Sequence, residues 1–378
     1  MRLRHARLLL AAATPLLALA GCRRHDFPDY AKNYREYAYV ANGGDATVTV
    51  LDLINLRQDR VLRVGSSPAG ITASRTRNEV YVVNSGSDSV SVINAETNAV
   101  VVTIPVHRKP YFIDVDADGK LAYVANSGSN NVSVIDLNRR REIATIGVGE
   151  GPGIARISPD QSTLVVSNRR SGSVSIIDAH SRKLRNVIPG CPGATDIAIP
   201  PDSQKAFIAC SDTHQVMVVS LDPISAGNPL IAMLNVGDVP VHLALKPDGG
   251  EIFVSNFASN TVSEISTSTN EVGGAHPVGT HPSSSVVSAD NALLYVSNFA
   301  ADTVGVYAID DGKLRSSIHV GAAPDAIAFS SEGHLLLVAD AKSGDVSVVR
   351  VADNSLFTMM PSGASPNSIA VKAFNLPN

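Results

Sequence analysis

The sequence contains no tryptophan, only three cysteines and few charged residues, which make up 17% of its 378 residues. It also lacks the Cys-x-x-Cys-His motif of covalent haem attachment, the His-Glu-x-x-His motif of zinc hydrolases and the Gly-x-Ser-x-Gly motif of serine hydrolases. Hydrophobic residues reach 44%, which allows a large core and argues against global disorder. The 28 glycines and 21 prolines favour short strands joined by many turns. The composition therefore indicates an all-β protein without an enzymatic signature.

The first 22 residues have the pattern of an export signal. Three arginines precede an apolar run from Leu8 to Ala20, which is too short for a membrane-spanning helix of about 20 residues. The run ends in Leu19-Ala20-Gly21-Cys22, which resembles the lipobox of bacterial lipoproteins. We therefore expect residues 1–21 to be a signal peptide and Cys22 to be lipidated. An ordinary signal peptide that happens to contain a cysteine remains the alternative.

Export and anchoring define the expected location and partners. Residues 22–35 would be the lipidated cysteine and a polar tether, and Arg23 resembles the sorting pattern of enterobacterial outer-membrane lipoproteins. Cleavage removes three of the 31 basic residues and no acidic residue, which leaves 28 against 35 and a formal charge of −7. An acidic exported protein is a poor nucleic-acid binder, because phosphate neutralisation dominates that binding. We expect an envelope protein anchored in the membrane by lipid, facing the periplasm or the cell surface.

Three registers recur eight times along residues 36–372, and they define a repeat of about 42 residues. The eight positions of a register are separated by seven spacings. In the first two registers these spacings are 42, 42, 42, 42, 46, 42 and 42 residues. The first register is an aromatic or aliphatic residue three positions before an Asn: Tyr39/Asn42, Tyr81/Asn84, Tyr123/Asn126, Val165/Asn168, Phe207/Cys210, Phe253/Asn256, Tyr295/Asn298 and Leu337/Asp340. The second is the first Val of an alternating strand: Val48, Val90, Val132, Val174, Val216, Val262, Val304 and Val346. The third is a Pro that opens another strand: Pro68, Pro110, Pro152, Pro192, Pro240, Pro282, Pro324 and Pro366.

One repeat, residues 110–149, contains four short apolar segments separated by turn residues. Asp116-Ala117-Asp118-Gly119 and Ser127-Gly128-Ser129-Asn130 are the first two turns, and the segment after each is a predicted strand. Four antiparallel strands of this kind form one blade of a β-propeller. The recurring Asn is expected to be a turn-former whose side chain satisfies backbone groups.

The motifs Tyr-Val-Ala-Asn at 39–42 and 123–126 and Val-Ser-Val-Ile-Asp at 132–136 resemble the YVTN repeat of YncE-like and surface-layer β-propellers. The repeats are also distantly similar to the eight-bladed d1-haem propellers. The resemblance implies the fold but no chemistry. Without tryptophan, the docking repeats of quinone-dependent dehydrogenase propellers are missing, and the catalytic residues of lactonase propellers cannot be matched.

The two ends of the repeat region predict how the ring closes. The first repeat lacks an innermost strand, whereas the chain ends with an innermost-strand pattern at Pro366–Val371 and a tail at 373–378. We expect this last strand to complete the first blade, which gives eight four-stranded blades and removes an exposed edge. A seven-bladed ring with one repeat outside it remains the alternative.

Departures from the repeat mark the candidate binding sites. The residues before each strand-opening Pro are expected to surround one mouth of the central channel. His107, Arg108 and Lys109, together with Arg169 and Arg170 in the next blade, form a basic sector that suits a carboxylate or phosphate. Solvated charges on the rim are the structural alternative.

A second group combines imidazole and aromatic side chains in two neighbouring blades: His242, Phe257, His281 and Phe299. These residues would suit an apolar pocket or a metal or haem ligand set, although polar rim groups remain the alternative. Cys191 and Cys210 are a possible disulfide in an exported protein.

The sequence thus favours a non-enzymatic scaffold that binds a protein, glycan or small molecule through its loop-bearing face. No cofactor or metal is assigned. A cofactor-binding or hydrolytic site at the channel mouth, either haem-related or lactonase-like, is the alternative, and a purely structural envelope component is a third possibility.

Overall fold

The computed structural model describes residues 28–223 and 227–377, and the expected lipidation site Cys22 lies outside them. The strands of blades 1 to 4 are β1 (Tyr34–Asn42), β2 (Thr47–Asp52), β3 (Arg57–Arg63), β4 (Pro68–Ala73), β5 (Glu79–Asn84), β6 (Ser89–Asn94), β7 (Ala99–Pro105), β8 (Pro110–Val115), β9 (Leu121–Asn126), β10 (Asn131–Asp136), β11 (Arg141–Gly147), β12 (Pro152–Ile157), β13 (Thr163–Asn168), β14 (Ser173–Asp178) and β15 (Lys183–Pro189).

The strands of blades 5 to 8, with the closing strand last, are β16 (Ala194–Ala198), β17 (Lys205–Cys210), β18 (Gln215–Ser220), β19 (Leu230–Asn235), β20 (Pro240–Leu245), β21 (Glu251–Asn256), β22 (Thr261–Ser266), β23 (Val272–Pro277), β24 (Pro282–Val287), β25 (Leu293–Asn298), β26 (Thr303–Ala308), β27 (Leu314–His319), β28 (Pro324–Phe329), β29 (Leu335–Asp340), β30 (Asp345–Arg350), β31 (Ser355–Pro361) and β32 (Pro366–Asn375). A 3₁₀ helix at Ser211–Thr213 follows β17.

The strands form eight four-stranded antiparallel sheets, which confirms the predicted number of blades and not the seven-bladed alternative. Seven sheets are consecutive in the chain, and the eighth has the order β3-β2-β1-β32. In that sheet Tyr39 lies opposite Ala370 and Val40 opposite Ile369, so the C-terminal strand completes the first blade as expected. The innermost strands contact one another in sequence, and β32 contacts both β28 and β4. The ring is therefore closed.

The hydrophobic core lies between the blades, because each blade packs a face against each neighbour. One cluster contains Tyr39 and Val50 of the first blade with Val82 and Ile93 of the second. The two middle strands of a blade are accordingly mostly buried, and β5 is buried along its whole length, whereas outer strands such as β3 are mostly exposed. This arrangement explains the continuous apolar runs of the second strand, since both of its faces meet another sheet.

The recurring Asn stabilises the blade differently from the expectation. The Nδ2 atom of Asn84 donates hydrogen bonds to the hydroxyls of Ser89 and Ser91, at 3.2 and 3.0 Å. Equivalent bonds are made by Asn42, Asn126, Asn168, Asn256 and Asn298. The partners are therefore side chains of the third strand of the blade, not backbone groups. These polar residues in a buried strand are a structural feature of the repeat and not catalytic copies.

Candidate functional site

The loops after the second strands and the connections between blades lie on one face, which we call the loop-bearing face. In blade 3 the N–H of Ser127 donates to the carbonyl of Lys109 at 2.9 Å, and the N–H of Gly128 donates to the carbonyl of Arg108 at 3.0 Å. The same bonds recur in other blades, for example from Phe299 to His281 at 2.9 Å. The residues predicted to surround one mouth of the channel are thus hydrogen-bonded to loops of the same face.

The connections are fixed by side chains of the preceding loop. Lys109 and His281 have φ angles of +49° and +55°, a conformation that is uncommon without glycine. The N–H of Lys109 donates to Asp88 Oδ1 at 2.8 Å, and that of His281 donates to Asn260 Oδ1 at 2.8 Å. These hydrogen bonds hold the strained connections in place and make this rim rigid.

The five residues of the predicted basic sector do not lie together in the structure. Arg169 and Arg170, both exposed, line a rim cavity of about 250 Å³ together with Tyr111 and Gly153. Arg108 and Lys109 are exposed on the neighbouring connection but do not line this cavity. His107 is directed elsewhere, as its Nε2 atom lies 3.2 Å from Glu142 Oε1 and 3.1 Å from Thr145 Oγ1 on the outer strand β11. The expected five-residue sector therefore reduces to an arginine pair at the mouth.

The second predicted group is also divided. The rings of Phe257 and His281 stack with centroids 4.5 Å apart and planes 15° apart, and Phe299 lies 6.4 Å from Phe257. These three form an aromatic cluster on the loop-bearing face. His242 lies instead on the inner strand β20, where it lines the channel. The two histidines thus have different neighbours.

A cavity of about 470 Å³ occupies the channel side of blades 3 to 6. Tyr111, which is 47% exposed, lines both this channel cavity and the rim cavity with the two arginines. The rim and the channel are therefore adjacent parts of one site. Its volume lies within the range of about 300–1,000 Å³ that is typical of pockets for small ligands.

Arg156 supplies the positive charge of the channel cavity. Its guanidinium carbon lies 5.3 Å from the centre of the Phe112 ring, and its Nη2 atom lies 3.6 Å from Asp196 Oδ1. Asp196 also accepts hydrogen bonds from the N–H groups of Ile197 and Leu243, at 2.8 and 3.0 Å. The Asp196 carboxylate is thus held by backbone donors and the guanidinium, and it fixes the position of Arg156 in turn.

His242 is held in one protonation state by its surroundings. Its Nδ1 atom accepts a hydrogen bond from the N–H of Ser285 at 3.3 Å, and this leaves the proton of the neutral ring on Nε2. Burial lowers the pKa of His242, an effect opposed by Asp196 and reinforced by Arg156. His242 therefore presents an Nε2–H group as a neutral donor.

A third cavity of about 190 Å³ continues beyond Arg156 and is lined by Arg75 and Asp114. Burial raises the pKa of Asp114, against the lowering effects of Arg156 and of hydrogen bonds from the N–H groups of Ile157 and Val115. Its carboxylate accepts these bonds at 3.1 and 3.0 Å. The channel wall thus alternates arginine and aspartate side chains from successive blades.

Three residues of the channel wall were not predicted from the sequence: Asp114, Arg156 and Asp196. Each stands on an inner strand, near positions where other repeats have small or apolar residues such as Thr72 and Ala328. That departure from the repeat was a usable signal. Which side chains face the channel could not be deduced, because every inner strand contains a register shift after its first residue.

Cys191 and Cys210 are joined by a disulfide, with their Cα atoms 4.8 Å apart. The bond lies at the loop-bearing end of blade 5 and is fully buried. The expected opening of this strand at Pro192 is wrong, because β16 begins at Ala194. Ala194 pairs with Cys210 as Pro68 pairs with Asn84, so Gly193 takes the position before the strand. Two residues are inserted here, and the disulfide fastens the insertion.

The structure gives no metal-binding group to add to this site. Within residues 28–223 and 227–377, no three His, Cys, Asp or Glu side chains are grouped so that they would hold a metal ion. No helix in the same residues has the length and apolar character required to cross a bilayer.

Comparison with known families confirms the resemblance to YncE-like propellers. Residues 27–156 match the family model described as a YNCE-like beta-propeller, and residues 268–360 match that of a lactonase, a 7-bladed beta-propeller. The ring of this chain has eight blades, one more than the second description states. No curated protein matches the sequence.

Solved structures with the same fold include dihydro-heme d1 dehydrogenase NirN in complex with DHE, at 14% identity and a TM-score of 0.74, covering 90% of this chain and 75% of that one. Apo AztD from Citrobacter koseri is 13% identical with a TM-score of 0.69, covering 90% and 98%. Kuenenia stuttgartiensis hydrazine synthase is 23% identical with a TM-score of 0.60, covering 73% and 92%. At identities this low, these TM-scores demonstrate a common fold and no more. The distant similarity to d1-type propellers is therefore a similarity of fold.

Proposed function

We propose that this YncE-like β-propeller is a lipid-anchored binding module of the bacterial envelope that takes a small anionic ligand at the mouth of its channel. One observation carries the proposal: Tyr111 lines both the rim cavity, with Arg169 and Arg170, and the channel cavity of about 470 Å³. A concave site of this volume suits a small molecule better than a protein or glycan surface.

The charge of the rim supports an anion. In the described residues, no ion pair or side-chain hydrogen bond occupies the guanidinium group of Arg169 or of Arg170. The chain after residue 21 carries a formal charge of −7, so these two arginines form a local positive site on an acidic protein. Arginine binds carboxylate and phosphate groups through paired hydrogen bonds, which makes both groups suitable ligands.

The geometry supports a cofactor-binding or hydrolytic site at the channel mouth less well. It required His242 and His281 to act together with the basic sector. His281 stacks on Phe257, whereas His242 lies beside Asp196 and Ser285. The two histidines therefore have different neighbours and are not brought together with the basic sector.

Titration calorimetry of the full chain in detergent tests the binding function. The probes are citrate, inorganic phosphate and 2-naphthoate, and we expect at least one to bind with a dissociation constant below about 1 mM. The double variant Arg169→Ala/Arg170→Ala should weaken that binding at least tenfold.

The matched control removes two exposed charges from the opposite face, in Arg141→Ala/Lys183→Ala. This variant should bind as the unmodified protein does. The absence of binding for all three probes, or an equal loss in both double variants, would refute the proposal.

Anchoring is tested separately through Cys22. Cys22→Ala should move the protein from the membrane fraction to the soluble fraction, because several acyl chains anchor a protein firmly and their loss removes that affinity. A variant that stays in the membrane fraction would contradict lipid anchoring at this residue.

A further inference from the structure

The rim cavity, the channel cavity and the third cavity form a continuous series along one wall of the channel. Tyr111 lines the first two, and Arg156 lines the second and the third. Each cavity is lined by at least one arginine: Arg169 and Arg170 at the rim, Arg156 in the channel, and Arg75 beyond it. An anion that reaches the rim therefore meets a second cationic group further inside.

Arg156 retains donor capacity in the channel. Its Nε atom is buried and has no hydrogen-bond partner among the described residues. A buried polar group without a hydrogen-bond partner is destabilising, and a charged group more so. The Arg156 side chain is 36% exposed toward the cavity, so a ligand can reach the guanidinium. An acceptor group on a ligand in the cavity would contact the exposed part of this guanidinium.

The neighbouring carboxylates do not use up this capacity. Asp196 is satisfied by two backbone N–H groups and lies 3.6 Å from Arg156, which is longer than a good hydrogen bond. Asp114 accepts hydrogen bonds from two further backbone N–H groups, those of Ile157 and Val115.

His242 offers a second donor to the same cavity. Its Nδ1 atom is occupied by the N–H of Ser285, so the ring proton is on Nε2. The nearest carboxylate oxygen, Asp196 Oδ2, is 3.9 Å from Nε2 and therefore beyond hydrogen-bond distance. Two donors, on Arg156 and His242, thus line the channel without a close acceptor.

Apart from Arg156, His242, Asp196 and Thr195, the residues that line the cavity are apolar or aromatic. The side chains that line it include Tyr111, Ile154, Leu243 and Leu245. Burial of aromatic surface against such a wall favours binding through the hydrophobic effect. A ligand that fits this cavity therefore combines an apolar planar body with one acceptor group of negative charge.

We infer that the channel cavity binds a small aromatic carboxylate, with its carboxylate on Arg156 and His242 and its ring against the apolar wall. This inference rests on the proposed function, because it names the ligand class that enters through the rim. The carboxylate meets the exposed part of the Arg156 guanidinium, and the ring occupies space that citrate and phosphate leave unfilled.

The test compares 2-naphthoate with 2-naphthamide, which has the same shape but no charge, by calorimetry on the full chain in detergent. We expect 2-naphthoate to bind at least tenfold more tightly than 2-naphthamide and than citrate. Arg156→Gln should weaken 2-naphthoate binding at least tenfold and leave 2-naphthamide binding within about threefold, since only the charged acceptor depends on the guanidinium. His242→Ala should also weaken the carboxylate selectively.

Arg156→Gln leaves Asp196 without its cation, and the variant can fail to fold for that reason. The double variant Arg156→Gln/Asp196→Asn removes both charges and serves as the second test, with the thermal midpoint measured in parallel. Phe112→Leu keeps an apolar group beside Arg156 and should retain most of the affinity.

Equal affinity for 2-naphthoate and 2-naphthamide, or unchanged affinity in both Arg156 variants, would overturn the inference. If the rim variant Arg169→Ala/Arg170→Ala loses anion binding while the Arg156 variants keep it, the channel site is wrong and the proposed function stands. If no probe binds to the unmodified protein, both are wrong.

Discussion

The hydroxyl of Tyr39 donates a hydrogen bond to Asn98 Oδ1 at 2.5 Å and thereby joins the second strand of blade 1 to the turn before the outer strand of blade 2. The same relationship joins Tyr295 to Asn354 at 2.7 Å between blades 7 and 8. In both pairs the residues are 59 positions apart in the chain. A tyrosine of the repeat motif thus connects neighbouring blades through its hydroxyl as well as through its ring.

Tyr39→Phe should lower the free energy of unfolding by about 1–2 kcal/mol, because it leaves the buried Asn98 Oδ1 without its donor. Urea unfolding followed by circular dichroism measures the effect. Tyr123→Phe is the matched control, since the hydroxyl of Tyr123 has no hydrogen-bond partner among the described residues. It should change stability by less than about 0.5 kcal/mol. Equal losses in the two variants would show that the Tyr39 hydroxyl does not link the blades.

Asp340 replaces the recurring Asn in blade 8, and burial raises its pKa to about 7, with Asp345 adding to the shift and Ser347 opposing it. The folded protein therefore holds this proton more tightly than the unfolded chain does. Its contribution to stability is complete below about pH 4 and is lost as the pH rises through about 7.

Asp340→Asn removes this loss, so the stability of the variant relative to the unmodified protein should rise by at most about 4 kcal/mol between pH 4 and pH 8. Urea unfolding at the two pH values tests the difference. Asp345→Asn removes one cause of the raised pKa and should produce a smaller change of the same sign. A stability difference that does not vary with pH would exclude this account of Asp340.

The disulfide between Cys191 and Cys210 closes a loop with a sequence separation of 19 residues, for which chain-entropy arguments give about 3 kcal/mol. A reductant should therefore lower the unfolding midpoint of the unmodified protein. Cys191→Ser/Cys210→Ser should start from the lower midpoint and not respond to the reductant. Alkylation of the denatured protein followed by peptide mass analysis should label these cysteines only after reduction. Labelling of both without reductant would show that the bond does not form.

The fold could be predicted from the sequence because the same apolar pattern returns at a fixed period, and because the first repeat lacked a strand that the last segment supplied. The blade 5 connection could not be predicted in the same way. Pro192 resembles the strand-opening prolines of the other repeats, but two residues are inserted in this blade and the strand begins at Ala194. A proline specifies a backbone dihedral and not a pairing register.

The candidate site was predicted less completely, because its residues depend on side-chain direction. In β8 the partner of Pro110 is Asn126, whereas the partner of Phe112 is Ala125, so a bulge shifts the register by one residue. Such a shift changes which side chains of the strand face the channel. The sequence showed that His107 and Arg169 depart from the repeat, but it could not show that only the arginine faces the mouth.

The channel and its cavities exist only if β32 closes the ring and joins blades 1 and 8. Urea unfolding of a chain that lacks residues 364–378, compared with the full chain, tests this directly. We predict a large fall in the midpoint together with a loss of cooperativity, since β1 loses its inner partner and blade 8 loses its neighbour. An unchanged, cooperative transition in the truncated protein would contradict the closed eight-bladed ring.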